Sequence, residues 1–169
     1  MTTPVFTVRP AVPQDLARLD ALYAASYPVL LKHDYPPSVM VMAVPLISRA
    51  QPALLKSGTY FVAEDSEGAL VGAGGWTRRP PGGGLAIEGI GHVRHVVTDH
   101  RRIRLGIGRA ILDRVVETAR AAGILRLDCL STRTAVPFYR ACNFAALREV
   151  EVQFSPVVSF PAIAMRRLV

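Results

Sequence analysis

Residues 104–112, Arg104-Leu105-Gly106-Ile107-Gly108-Arg109-Ala110-Ile111-Leu112, set two glycines and two arginines at the head of an apolar-periodic run. Glycines at the mouth of a helix let backbone N–H groups close on an anion, and the positive end of the helix dipole favours its charge. Arg101, Arg102, Arg104 and Arg109 crowd this turn, with Arg94 just upstream, so the first chemistry to consider is phosphate binding. Two common phosphate loops do not fit. A Walker loop needs Lys-Ser/Thr after its last glycine, where Arg109-Ala110 stand; a dinucleotide fingerprint needs a third glycine, where Ile111 stands, and belongs near the first strand. Upstream, residues 87–98 (IEGIGHVRHVVT) predict a long strand, whose side chains two apart share one face. That face carries Glu88, Ile90, His92 and Arg94. An imidazole with a reference pKa of about 6.5 suits proton transfer near neutrality, so His92 is a candidate base and Glu88 a second one. His95 has the opposite parity and is expected to face the helix side in a structural role.

The elements that must position these residues follow from periodicity and punctuation. A short strand is expected over 5–9. Pro13 opens PQDLARLDALYAASY, in which Leu16, Leu19, Leu22 and Tyr23 form a helical stripe. The next segment is apolar but interrupted by Pro28, Pro36, Pro37 and Pro45, which predicts short helical pieces with bends. Residues 59–65 and 69–79 predict two strands joined as a hairpin through Ser66-Glu67-Gly68, followed by a loose turn over 80–84. Ile107, Ile111, Val115 and Ala119 repeat every four residues, with Ala110 and Leu112 widening the stripe, and Gly123 closes that helix. A strand in ILRLDCLS then completes a strand–helix–strand unit, which argues for a parallel pair. RTAVPFYRACNF predicts a short helix with Asn143 in the left-handed position at its end. LREVEVQF and AIAMRRLV predict a closing hairpin.

Composition bounds the function. The chain has 169 residues, enough for one domain with a substantial core. Half the residues are apolar and a fifth charged, the composition of a folded soluble protein. No apolar run of membrane-spanning length is present, and the N-terminal stretch MTTPVFTVRPAVPQDL lacks a signal pattern, so a cytoplasmic location is expected. Cys129 and Cys142 have no metal-ligand spacing and read as packing residues; no metal is expected. The net charge of +7 points to an anionic partner. A basic nucleic-acid-binding module would account for the charge, but no aromatic residues interleave with the arginines as a stacking platform requires.

The run Ile103-Arg104-Leu105-Gly106-Ile107-Gly108, after a strand and opening a helix, resembles the pyrophosphate loop of the GCN5-related N-acetyltransferases, Arg/Gln-x-x-Gly-x-Gly/Ala. Ile103 departs from it, standing where Arg or Gln is usual, and Arg102 or Arg104 would supply the charge. Two further stretches resemble the same family. HVVTD looks like its bulged fourth strand, and in TAVPFYRACNF Phe138, Tyr139 and Phe144 match a helix ending Phe-Tyr-x-x-x-Gly-Phe, with Asn143 in place of the glycine. The element order over 5–168 fits as well. The resemblance implies an α/β fold: a mixed, mostly antiparallel, twisted sheet of about seven strands with about four helices, splayed at the central parallel pair, as one N-acetyltransferase domain over 1–169.

What the resemblance implies for chemistry is acetyl transfer from acetyl-CoA to an amine through a tetrahedral intermediate. Val96, Val97, Thr98, Arg102, Arg104, Leu105, Gly106, Ile107, Gly108 and Arg109 would bind the cosubstrate, with a main-chain N–H near Val96 or Val97 as oxyanion donor. Tyr139 would protonate the departing thiolate. His92, 14 positions before Gly106, falls where several members of the family carry a Glu or His base, while others use ordered water. The acceptor pocket would draw on Tyr27, His33, Tyr35, Met40, Met42, Trp76 and Arg78. Its character suggests a small, partly apolar amine, or a carboxylate held by Arg78 or Arg94; amino acids, polyamines, antibiotics and peptide N-termini all stay open. A homodimer through the C-terminal strands is expected, with no nucleic-acid or membrane partner. A coenzyme-binding sensor without turnover is the alternative on the same fold.

Overall fold

The computed structural model describes residues 5–169; residues 1–4 of the N-terminal stretch lie outside the described residues. The order is β1 (Phe6–Pro10), a 3-10 turn (Pro13–Asp15), α1 (Leu16–Leu31), α2 (Pro37–Met42), α3 (Val44–Ile47), α4 (Pro52–Leu55), β2 (Tyr60–Asp65), β3 (Leu70–Thr77), β4 (Ile90–Thr98), α5 (Ile107–Ala121), β5 (Arg126–Ser131), α6 (Val136–Ala141), β6 (Ala145–Gln153) and β7 (Ser159–Leu168). The seven strands form one sheet in the order β1-β2-β3-β4-β5-β7-β6. All neighbours are antiparallel except β4 and β5. This is the mixed sheet expected from the sequence, with β7 inserted between β5 and β6.

Three local expectations are corrected. The first concerns α1, which continues through Pro28 to Leu31 instead of stopping before it. Proline there costs the single bond to the carbonyl four residues back, and the helix has only one more turn to run. The second is the helix count. The proline-broken segment yields three short helices of its own, each with proline in its first turn, where the missing N–H is not needed. There are therefore six α-helices among the described residues, where about four were expected. The third is the start of β4, which begins at Ile90 rather than at 87. Gly89 has φ of +77° and the Ile90 N–H bonds back to Ile87 O at 3.1 Å, so Glu88 sits exposed in a turn and off the strand face.

The sheet has a core on each side. On one, α1 and the short helices bury Leu19, Leu22, Tyr23, Leu31, Leu54 and Tyr60 against Val62, Ala73 and Val97. On the other, α5 buries Leu112, Val115, Val116 and Ala119 against Phe61, Trp76 and Val93, while Ile107 and Ile111 pack with Ala63 and Val71. Burying the five Ile, Leu and Val side chains of α5 is worth on the order of 10 kcal/mol before entropy, enough to seat its N-terminus firmly. β3 gives α5 room to approach: a Cβ on Gly72 would stand 2.6 Å from Ile107 Cγ2. At the other side, buried Asp15 accepts from Arg9 and Arg18, each at 2.9 Å, and ties the head of α1 to β1. Among the described residues no helix is long and apolar enough to cross a membrane.

Candidate active site

The parallel pairing of β4 and β5 covers only Ile90–His92 against Arg126–Asp128. Beyond those residues the strands separate, leaving the β4 edge over 93–98 without a strand partner on that side. A cleft of about 940 Å³ opens there, between this edge, Cys129–Thr132, α1, the 103–109 turn and α6. A bulge shapes the wall. Gly75 faces Arg94 and Ala73 faces Val97, so one residue of β3, Gly74, opposes two of β4, His95 and Val96, and His95 takes φ of +46°. The bulge changes which side chains point which way. Val93 and Val96 join the α5 core, whereas Val97 joins the α1 core and His95 stacks on Tyr23 of α1, ring centroids 5.7 Å apart. Parity counted through a regular strand set His95 away from this face; the extra residue brings it in.

At one end of the cleft the 103–109 turn leads into α5. Gly106 is the residue before α5, with φ of +82°, and its carbonyl accepts the Ala110 N–H at 3.0 Å. Arg104 also has positive φ, +62°. The turn is held from behind by buried Asp99, whose Oδ1 accepts the Arg101 N–H at 2.9 Å and whose Oδ2 pairs with the Arg101 guanidinium at 3.0 Å. That guanidinium holds the Asp99 carboxyl below its usual pKa. Ile103, Arg104, Gly106, Ile107, Gly108 and Arg109 line the cleft, as do Val96, Val97 and Thr98. Leu105 is exposed and does not line it, and Arg102 is drawn to Asp65 at 3.1 Å. Of the two arginines expected to make up for Ile103, Arg104 is therefore the one at the cleft.

The other end is built from side chains. Arg94 donates to Thr77 Oγ1 and to Gln51 Oε1, both at 3.1 Å. Gln51, at the head of α4, places its Nε2 3.1 Å from His95 Nε2. Because a guanidinium can only donate, the Gln51 oxygen must face Arg94 and its amide N–H must face the imidazole. His95 Nε2 is then an acceptor and the ring is neutral, in keeping with burial and the nearby Arg94, which pull its pKa down to about 4. Tyr60 donates its hydroxyl to His95 O at 2.9 Å, and its own oxygen is hydrogen-bonded with Tyr23 Oη. Tyr139 is buried on the α5 side, edge-on to Phe138 and Phe144, and lines the cleft beside Cys129. Burial pushes its hydroxyl pKa well up, and pushes the Cys129 thiol up to about 12, so both stay protonated.

The remaining expected residues separate. Tyr27 and Arg94 line the cleft. Tyr35 does not: its hydroxyl donates to Pro161 O at 2.7 Å and accepts the Arg133 N–H at 2.8 Å, strapping the α1–α2 connection to β7. Trp76 and Arg78 lie on the opposite face, donating to Thr118 Oγ1 at 3.0 Å and Ala122 O at 2.8 Å. His33, Met40 and Met42 are also outside the lining. His92 stands half-buried beside Asp128, outside the cleft wall; burial lowers its pKa, and its ring has no hydrogen-bond partner among the described residues. Gln51 and His95 were missed as cleft residues. Gln51 is 44 residues from His95 and carries no local signal, whereas a positive-φ histidine is hidden from any count that assumes an unbroken strand. No cluster of metal-ligating side chains occurs among the described residues.

Residues 56–146 match the model of a family described as an acetyltransferase (GNAT) domain. No curated protein matches the chain in sequence. Several solved structures share the fold. A GCN5-related N-acetyltransferase from Rhodopseudomonas palustris superimposes with a TM-score of 0.76 at 20% identity, covering 100% of this chain and 98% of that one. The PaiA N-acetyltransferase of Thermoplasma acidophilum, in complex with coenzyme A, gives 0.71 at 14% identity, covering 98% and 99%. An acetyltransferase of the GNAT family from Streptococcus pneumoniae gives 0.66 at 19% identity, covering 98% and 100%.

Proposed function

Starting from the fact that the chain belongs to the GNAT acetyltransferase family, we propose that it is one N-acetyltransferase domain over 1–169, moving an acetyl group from acetyl-CoA to an amine of a small molecule or peptide by direct attack. The observation that carries this reading is the splayed β4–β5 pair. It leaves an unpaired strand edge between a glycine-headed helix N-terminus and a buried tyrosine hydroxyl, the three things a thioester acyl transfer needs from a protein. Main-chain N–H groups at Gly106–Gly108, the α5 dipole and Arg104 and Arg109 hold the pyrophosphate. The free β4 edge binds the pantetheine arm as an added strand would. An N–H near Val96 or Val97 faces the oxygen on which negative charge develops.

The amine lone pair attacks the thioester carbonyl carbon. The tetrahedral intermediate collapses by breaking the C–S bond, and the thiolate takes the Tyr139 proton. Tyr139 lines the cleft and is protonated at neutral pH, and the phenolate left behind regains its proton from water. Glu88, exposed in its turn, has no part in this reading. The amine's own proton leaves to ordered water, because His92, the base expected from the sequence, stands outside the cleft wall. His95 is unsuited to hold it: at a pKa of about 4 it is a weaker base than an α-amine by roughly four powers of ten. We place the enzyme in the cytoplasm, where the free thiols of Cys129 and Cys142 stay reduced. A homodimer through the edge strand β6 is supported by its exposed Leu147 and the neighbouring exposed Phe154 and Val157. Thermal shift tests the reading: acetyl-CoA and CoA should raise the melting temperature with saturation, and single-stranded DNA should not. Stabilisation by DNA alone would replace the enzyme with a basic binding module.

A further inference from the structure

Outside the cleft lining, four nearby arginines are paired with carboxylates. Arg101 has Asp99 at 3.0 Å, Arg102 has Asp65 at 3.1 Å, and Arg126 and Arg166 share Asp128 at 2.9 and 2.8 Å. Arg94 is different. It is half-buried, its two bonds go to a hydroxyl and an amide oxygen, and among the described residues it makes no salt bridge. Burial lowers its pKa, and the group that opposes this is the Tyr60 phenol rather than any acid. Among the described residues no Asp or Glu lines the cleft at all. A guanidinium withdrawn from water without a counter-charge is costly to keep, and three of its five N–H donors remain to be used. Gln51 also keeps one amide N–H beyond the one that faces His95.

Position matters as much as charge. The two arginines that line the phosphate end, Arg104 and Arg109, sit beside the start of α5, whereas Arg94 precedes the bulge at His95. Its span to Thr98 matches that of Gly75 to Gly72 on β3, about 10 Å, and its guanidinium is held at Thr77 and Gln51. Leu30, Leu31, Leu46 and Ile47 give this part of the cleft an apolar wall. We propose that Arg94, with the free N–H of Gln51, binds a carboxylate of the acceptor, so that the acceptor is an amino acid or a similarly compact amino carboxylate with an apolar side group. This rests on the reading of the cleft as an amine-acceptor site and narrows the substrate class. Polyamines and aminoglycosides are disfavoured, since a second ammonium group would meet Arg94 with no acid nearby to hold it.

The test is binding of product analogues to the CoA-saturated protein, followed by thermal shift or calorimetry. The probes are N-acetyl-leucine, N-acetyl-methionine and N-acetyl-phenylalanine, each against its amide. Wild type should bind at least one acid ten or more times tighter than its amide. Arg94→Gln should bring that ratio to within twofold, Arg94→Lys should leave an intermediate ratio, and Arg120→Gln, at the exposed end of α5, should not change it. Loss of a half-buried unpaired charge leaves folding intact, so Arg94→Gln should melt at or above wild type; Arg94→Lys carries the test should it not fold. Equal binding of acids and amides, no binding of any acid, or a preference that survives Arg94→Gln would overturn the proposal. A parallel transfer assay separates the two claims. Equal acetylation of leucine and isopentylamine would remove the carboxylate site and leave the transferase standing. Arg94-dependent acid binding without transfer to any amine would do the reverse.

Discussion

At one end of the cleft the donors are main-chain N–H groups around Gly106 and Gly108; at the other they are the side chains of Arg94 and Gln51, brought together from 43 residues apart. The first end is specified by a continuous stretch of chain: a turn, two glycines and a helix. The anion binding proposed there uses the backbone, so it should tolerate change in any one side chain. The second end exists only after β3, β4 and α4 have packed, and it depends on one bulge and one amide. A single substitution there should alter selectivity before it alters the cosubstrate.

The largest effect expected from breaking this contrast is at Gly106. A β-branched residue at φ of +82° costs about 1–3 kcal/mol in backbone strain. Gly106→Val should therefore weaken acetyl-CoA binding by up to about 100-fold by calorimetry, by turning the N–H groups away. Arg104→Gly, which keeps the positive φ and removes only the charge, should weaken it less than tenfold. Equal losses in the two variants would mean that charge, not backbone, does the binding.

Next in size is Tyr139→Phe. Loss of a general acid is worth roughly 100-fold or more in many enzymes, and kcat should fall about that far with the Kd of acetyl-CoA unchanged. Wild-type turnover would return Tyr139 to packing between Phe138 and Phe144.

A smaller effect is expected at His95, which acts by fixing the orientation of Gln51. His95→Ala should raise the acceptor KM about three- to tenfold while kcat changes less, and it should leave the acidic limb of the pH–rate profile in place. His92→Ala, outside the cleft wall, should leave both turnover and that limb unchanged, and a flattened limb would restore His92 as the proton relay. Stability gives a separate check. His95 has a folded pKa of about 4 and an unfolded one of about 6.5. Between those values the unfolded chain binds more protons, so stability rises with pH there. The contribution is complete above pH 6.5 and disappears as pH falls through 4. Arg94, Tyr23, Tyr60 and Gln51 are the groups facing the ring, and none of them titrates in that window. His95→Ala should flatten the melting-temperature profile between pH 4 and 6.5, and an unchanged slope would show that the ring is free to protonate in the folded state.

The smallest effect is at Ile103. Replacing it with Gln restores the usual first residue of the loop at a half-exposed position. Acetyl-CoA affinity should change by no more than about fivefold, in line with the few tenths of a kcal/mol of a surface contact at a helix terminus.

The same contrast explains what could be read from the sequence. Ile107, Ile111, Val115 and Ala119 place α5 by periodicity alone, and Gly123 and Asn143 take positive φ at the helix ends where they were expected. The parallel β4–β5 pair, the hairpins and the seven strands follow from local patterns of the same kind. The end at Arg94 and Gln51 does not. Trp76 and Arg78 belong to the far face because β3 presents them to Thr118 and the end of α5, and Tyr35 is consumed by two backbone partners. His95 enters the cleft because one extra residue in β4 reverses the parity between Arg94 and Val97. Tertiary pairing, rather than any property of residues 92–98 alone, decides which of them the cleft sees.

Direct acetyl transfer to an amine at this cleft can be measured by incubation with acetyl-CoA and a panel of apolar amino acids, peptides and simple amines, with free thiol and acetylated acceptor quantified together. CoA release should require an amine, with one N-acetyl product per thiol released and no acetyl group left on the protein. Saturable binding of acetyl-CoA with no amine raising thiol release above the hydrolysis background would contradict it and make the protein a coenzyme-binding sensor.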